Sequence, residues 1–163
     1  MYLTGPFNLT SRLNLVVESG AVLVACADRG LYGAADRGFI SAYGVHSSVL
    51  SGGGVIDGLG SSWWGSQPRH AILDEADLNF VSALTSSRDP PHLLFYDSCS
   101  DMTVEDLEFR NPPFWAIHPF NVSGLVIQRI SVHSPINSPN TDCIDPDSCQ
   151  GIVIYFVYDV LLC

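Results

Sequence analysis

Short apolar runs, each opened by a small or polar residue, recur along this chain. Ser100-Asp101-Met102-Thr103-Val104, Ser123-Gly124-Leu125-Val126-Ile127 and Gln150-Gly151-Ile152-Val153-Ile154 share this form. Met102 and Leu125 stand 23 residues apart, and Leu125 and Ile152 stand 27 apart. Two earlier runs, Arg12 to Val16 and Ser47 to Leu50, fit the same pattern. Between them lie further strand-like pieces at Leu107-Glu108-Phe109, Ala116-Ile117-His118 and Ile130-Ser131-Val132. Several short strands per repeat, with turns at Asn, Gly, Ser and Pro, predict the coils of a parallel β-solenoid. A single coil cannot bury its inward face, so stacking has to supply the core.

The alternative all-β reading is an antiparallel sandwich or barrel. It needs clean hairpin turns. The nearest candidate is Asp57-Gly58, and the segment after it, Leu59-Gly60-Ser61-Ser62, makes a poor strand. The solenoid is therefore favoured. Residues 61–92 break the repeat. There Ile72, Ala76, Phe80 and Leu84 recur every four residues, which predicts a short helix before Asp89-Pro90-Pro91. The expected organisation is one partial β-helix domain over residues 1–163, with an inter-coil insertion at 61–92.

Composition narrows the classes of function. Apolar residues make up 47% of the 163, which argues against disorder. Seventeen acidic residues face seven basic ones, for a net charge of −10, and all seven are arginine. Such a balance with no basic run excludes nucleic acid and anionic membrane as expected partners. Leu13 to Ala27 is apolar, but it is interrupted by Asn14, Glu18, Ser19 and Gly20 and is too short to span a bilayer. No basic region followed by an apolar run opens the chain, so no signal peptide is visible. Five cysteines without a Cys-x-x-Cys pair give poor support to a zinc site. Cys143 and Cys149 flank an acidic segment, and their spacing leaves a bridge between them undecided. Asn8-Leu9-Thr10 and Asn121-Val122-Ser123 are glycosylation acceptor triplets, weak pointers to the secretory route.

The candidate chemistry concentrates in Ser138-Pro139-Asn140-Thr141-Asp142-Cys143-Ile144-Asp145-Pro146-Asp147-Ser148. Three carboxylates fall within six positions among turn residues. Carboxylates held close on a rigid platform are what hydrolysis of a sugar linkage requires. The plainer reading of each is a turn-capping Asp. A calcium site at 142, 145 and 147 is a third option, without EF-hand spacing.

Taken together, the motifs resemble the plant form of the polygalacturonase-like glycoside hydrolases, family 28. The matching stretches are Tyr2 to Ser11, Gly54-Val55-Ile56-Asp57-Gly58-Leu59-Gly60 with Trp63-Trp64, Asn111 to Pro119, Val132-His133-Ser134-Pro135, and Asn137 to Ser148. The resemblance implies a right-handed parallel β-helix and inverting hydrolysis of α-1,4 linkages in pectic galacturonan, in the cell wall. It implies no cofactor and no metal. It implies an acidic polysaccharide as partner, although the net charge repels one at long range, and a monomeric soluble state.

The same resemblance implies the site residues. Asp142, in the Asn140-Thr141-Asp142 triplet, corresponds to the carboxylate that positions and deprotonates the attacking water. Asn140, Asp145 and His118 are the expected substrate-binding residues. The family's paired Asp-Asp, Gly-His-Gly and Arg-Ile-Lys pieces do not occur in this sequence, which holds no lysine. Tyr155 to Cys163 does not resemble the family's next coil. A shortened chain with an incomplete C-terminal end and little activity of its own is therefore expected. Apart from the resemblance, His118 and His133 read first as structural histidines and only second as groove residues. Arg110 and Arg129 read as ion-pair partners of Glu108 or Asp106, and Trp63, Trp64 and Trp115 as packing residues.

Overall fold

The computed structural model describes residues 1–33, 37–64, 90–136 and 138–162. Their strands form three parallel ladders. The first contains β3 (Asn14–Val16), β6 (Val49–Ser51) and β9 (Ser100–Glu105). The second contains β1 (Tyr2–Thr4), β4 (Val22–Ala25), β7 (Val55–Asp57) and β10 (Glu108–Arg110). The third contains β2 (Phe7–Asn8), β5 (Gly38–Tyr43), β8 (His92–Asp97) and β11 (Ile117–Phe120). Two longer strands, β12 (Ser123–Pro135) and β13 (Val153–Leu162), pass through the first and second ladders in turn and pair with each other along both. This is a parallel β-helix, as the repeat predicts, and parallel crossovers of this kind are right-handed. Among the described residues no helix is long and apolar enough to cross a membrane.

The ladder register reproduces the sequence repeat. Leu125 sits opposite Met102, one 23-residue coil away, and Val126 sits opposite Val153, one 27-residue coil away. Residues in one column bury each other. Leu50, Val104 and Ile127 stack inside the first ladder, Ile56, Phe109 and Val132 inside the second, and Ile40, Leu94 and Ile117 inside the third. All nine are fully buried. Truncating a residue such as Phe109 to alanine would cost about 3–5 kcal/mol, because its neighbours lie on three coils and cannot close around the hole.

Corners are made by single residues in the left-handed region. Gly53, Asp106, Arg129 and Phe156 turn the chain between the first and second ladders, with φ of 93°, 56°, 50° and 52°. A second corner stacks Ser47, Asp101, Gly124 and Gly151, and a third stacks Gly44, Ser98, Asn121 and Ser148. A non-glycine residue there costs about 1–2 kcal/mol, which contacts to the next coil offset.

One expectation is revised. The runs at Ser123–Ile127 and Ile130–Val132 are one strand, because the left-handed residue Arg129 bends β12 without breaking its pairing. Tyr155 onward, which lacks resemblance to the family's next coil in sequence, continues the ladder: β13 pairs with β12 from Val153 to Leu162. Asp159, in register with buried Val132, is exposed at this last coil. The helix predicted around Ile72 to Leu84 lies outside the described residues, as do positions 65–89 of the insertion. On either side of them, a 3₁₀ turn occupies Gly60–Ser62 and β8 opens at His92.

Candidate functional site

The acidic segment supplies the last rung of the third ladder. After β12 the chain turns through Ser138 to Thr141. Ser138 N–H donates to the Pro135 carbonyl at 2.9 Å, and the Ser138 and Thr141 hydroxyls lie 2.6 Å apart. Asn140 takes φ of 44°, a left-handed conformation that asparagine tolerates. The chain then runs beside β11. Ala116 N–H donates to the Asp142 carbonyl (2.8 Å), Asp145 N–H to the Ile117 carbonyl (2.9 Å), and Asp147 N–H to the Pro119 carbonyl (2.9 Å). Ile144 bridges Ile117, and both turn toward the core. The next residues along, His118 and Asp145, therefore face outward on neighbouring rungs, about 4.8 Å apart at the backbone.

The two carboxylates have different surroundings. Asp142 is exposed and Asp145 is half-buried. Oδ2 of Asp145 is shut off from solvent and has no hydrogen-bond partner among the described residues. Burial, then the charge of Asp142, raises the Asp145 carboxyl to about 6. A buried carboxyl without a partner and next to a like charge holds its proton.

Below Asp145 lies a desolvated ring cluster. His118 and His92 are each about 95% buried, and His118 Nδ1 lies 3.1 Å from His92 Nε2. His92 stacks on Phe95 (5.5 Å between centroids) and touches Phe114 and Trp115 at 5.3 Å. His118 meets Trp115 at 4.7 Å and Phe95 at 5.3 Å. The Arg37 guanidinium lies 4.9 Å over the Phe95 ring. Burial, then His118 and Arg37, lowers His92 to about 3. Burial, then Arg37, lowers His118, with Asp147 opposing. The dyad is therefore neutral at physiological pH. Gly38, opposite His92, makes room for the stack: a Cβ there would lie 2.8 Å from Cβ of Phe95.

The structure thus sets Asp142 near Asp145, puts Asp145 in register with His118 on the adjacent rung, and places Asn140 on the exposed turn just before them. It adds His92, Phe95 and Arg37, which the sequence reading missed. Their only signal is the coil register, which puts Phe95 in the His118 column. The other candidates have structural partners. Arg110 pairs with Glu108, whose Oε1 also lies 3.3 Å from His133 Nε2, and Arg129 pairs with Asp106 and Glu105. Trp63 is buried against Tyr32 at 5.1 Å, while Trp64 Nε1 donates to the Pro113 carbonyl at 3.2 Å. Cys143 and Cys149 are both free thiols packed against the core. Among the described residues, no group of three or more His, Cys, Asp or Glu is placed to hold a metal ion.

Comparison with known proteins agrees with this architecture. A grapevine (Vitis vinifera) protein named "Probable polygalacturonase" is 32% identical over 98% of this chain and 33% of its own length. The chain thus spans about a third of that relative. The polygalacturonase from Erwinia carotovora superposes with a TM-score of 0.77 at 23% identity, covering 95% of this chain and 44% of that one. An exopolygalacturonase from Thermotoga maritima superposes with a TM-score of 0.73 at 24% identity, covering 93% and 41%. These likenesses establish the right-handed β-helix fold. The model of glycosyl hydrolases family 28 matches residues 27–158, and the chain belongs to that family.

Proposed function

We propose that this chain is the part of a polygalacturonase-type glycoside hydrolase that carries the water-activating side of the active site. Its substrate is the galacturonan of pectin and its place of action the cell wall. The observation that carries this reading is that Asp142 and Asp145 lie on the rung next to the one that carries His118. Asp142, exposed on the turn, accepts the proton of a water that attacks the anomeric carbon, giving inversion. Asp145 holds its proton up to about pH 6, and His118 is neutral. Both therefore present hydrogen-bonding groups to a uronate without adding a charge that repels or traps it. Asn140 extends this polar rim along the exposed turn. No cofactor enters the scheme.

One observation favours a second reading. Of the four catalytic pieces that the resemblance implies, only Asn140-Thr141-Asp142 occurs among these 163 residues. Nothing in the chain corresponds to the acid that protonates the leaving oxygen, a group whose loss costs about 10²–10⁴-fold. On that reading the chain binds pectic fragments without turning them over.

Reducing-end release from polygalacturonate and calorimetric binding of oligogalacturonate, on the same folded protein, separate the two. We expect saturable binding, little turnover, and loss of any turnover in Asp142→Asn with binding retained. Turnover that survives Asp142→Asn would remove Asp142 from the mechanism. A folded chain that neither binds nor cleaves would overturn both readings.

A further inference from the structure

The two glycosylation acceptor triplets remain outside the site just described, and the fold treats them differently. Asn121 stands on the third corner of the helix, between β11 and β12. Its φ is 52°, and it stacks with Gly44, Ser98 and Ser148 of the other coils. It is exposed, and so is Ser123, which completes the triplet. Its side-chain Nδ2 donates to Ser98 Oγ at 3.1 Å. That bond uses one of the two amide hydrogens. Phe120, the preceding residue, leaves 38% of its surface open to solvent at the same corner.

Asn8 is also exposed, but it lies within β2, paired opposite Ser41. Ser41 pairs in turn with Phe95, and Phe95 with His118. Asn8 therefore faces outward along the column that ends at Asp145. An occupied acceptor belongs on a surface turn, where a bulky glycan meets solvent and displaces no packed neighbour. Asn121 satisfies that condition. Asn8 sits in a ladder and on the face that the proposed substrate would occupy.

We infer that Asn121 is an N-glycosylation site of this protein, and that it is the acceptor used in preference to Asn8. The inference rests on the reading that the protein enters the secretory route to the cell wall. The donor is a polyprenyl-pyrophosphate-linked oligosaccharide. Nδ2 of Asn121 bonds to C1 of its first N-acetylhexosamine, the C1–O bond to the pyrophosphate breaks, the lipid pyrophosphate leaves, and Nδ2 gives up one proton to base. The remaining N–H keeps the bond to Ser98 Oγ. The first sugar then covers the open face of Phe120, so the glycan shields an apolar spot and leaves the outer face of the third ladder clear.

The test is expression of the full chain behind a cleavable secretory leader in a eukaryotic host. Intact mass and peptide-N-glycosidase sensitivity are read on total cell protein, because transfer precedes export. The expected result is one glycan, lost in Ser123→Ala and kept in Thr10→Ala. Ser123→Ala leaves the corner asparagine in place, so a folding defect does not confuse the outcome. Ser123→Thr should raise occupancy. Unmodified Asn121 on protein that has lost its leader overturns the inference and leaves the glycosidase reading intact. So does a glycan that survives Ser123→Ala and disappears in Thr10→Ala. Oligogalacturonate binding by the unglycosylated protein tests the glycosidase reading separately.

Discussion

Two outward-facing parts of this β-helix use polar residues in opposite ways. At the corner between the first and second ladders Arg129, Asp106 and Glu105 pair with one another and keep contact with water. Arg129 holds Asp106 through Nε at 2.6 Å and Nη2 at 2.8 Å, and reaches Glu105 at 2.8 Å. The Arg129 and Asp106 side chains remain about 45% exposed. On the outer face of the third ladder the polar groups are withdrawn from water and incompletely compensated. His92 and His118 are buried against aromatic rings, and Asp145 has a buried oxygen without a partner. Turning a corner needs local compensation, which the ion pair supplies at almost no desolvation cost. The third ladder carries polar groups whose burial the fold itself does not require, and such groups mark a site.

The largest effect expected from this contrast is His92→Ala. The change removes a ring packed against Phe95, Phe114 and Trp115 and leaves His118 Nδ1 without its partner. The combined cavity and hydrogen-bond cost is about 3–4 kcal/mol, read as a lowered urea midpoint. A loss below about 1 kcal/mol would mean that the cluster is loose and that the contrast fails.

The same dyad sets an acid limit. His92 binds a proton near pH 6.5 when unfolded, but only at about 3 when folded. Between those values the unfolded state holds more protons, so stability is complete above pH 6.5 and falls as pH falls. The expected loss is about 2–3 kcal/mol by pH 4. Urea titrations at pH 7 and pH 4, repeated with a His92→Phe variant, check it. The variant should flatten the profile, and an unchanged slope would assign the acid limit to other groups.

Much of this was legible in the chain because a solenoid writes its register into its sequence. Inward residues such as Met102, Leu125 and Ile152 must recur once per coil, and that recurrence can be counted. The continuity of β12 could not be counted, because the bend at Arg129 is a left-handed backbone corner stacked on the one at Asp106, a coil away in sequence. The last coil pairs without resembling its predecessor in sequence. The left-handed residue Phe156 shifts the alternation, and aromatic Tyr155, Phe156 and Tyr158 occupy exposed positions where the preceding coil has Gln128, Arg129 and Ser131. In the candidate site, the sequence singles out Asp142 by its Asn-Thr-Asp context. His92 is not singled out, since its environment is assembled from β8, β11 and the Phe114-Trp115 turn, segments distant in sequence.

Asp145 offers a smaller test on the site side. Its folded-state carboxyl, at about 6, lies above the usual carboxylate value of 3.8. The folded state therefore binds more protons between those values, and this residue's contribution is lost as pH rises from about 4 to 6. Asp145→Asn should leave stability unchanged at pH 4 and raise it at pH 7.5 by about 1 kcal/mol, solvent screening of a half-exposed group included. Equal effects at the two pH values would show that the Asp145 carboxyl is not raised in the folded protein.

The smallest effect belongs to the corner. Arg129→Ala removes three charge-assisted hydrogen bonds, the largest number at any single side chain described above. Counting contacts would rank it above His92→Ala, and the physical argument ranks it last. Asp106 and Arg129 keep their water in the folded state, so separating them returns each to an environment it has barely left. Removing the arginine also relieves a left-handed residue only slightly, since alanine has the same backbone penalty. The expected change in urea midpoint is close to the error of the measurement, and it should shrink further in molar salt as screening replaces the ion pair. A destabilisation as large as that of His92→Ala, and indifferent to salt, would make the corner a structural clamp and reverse the contrast between the two surfaces.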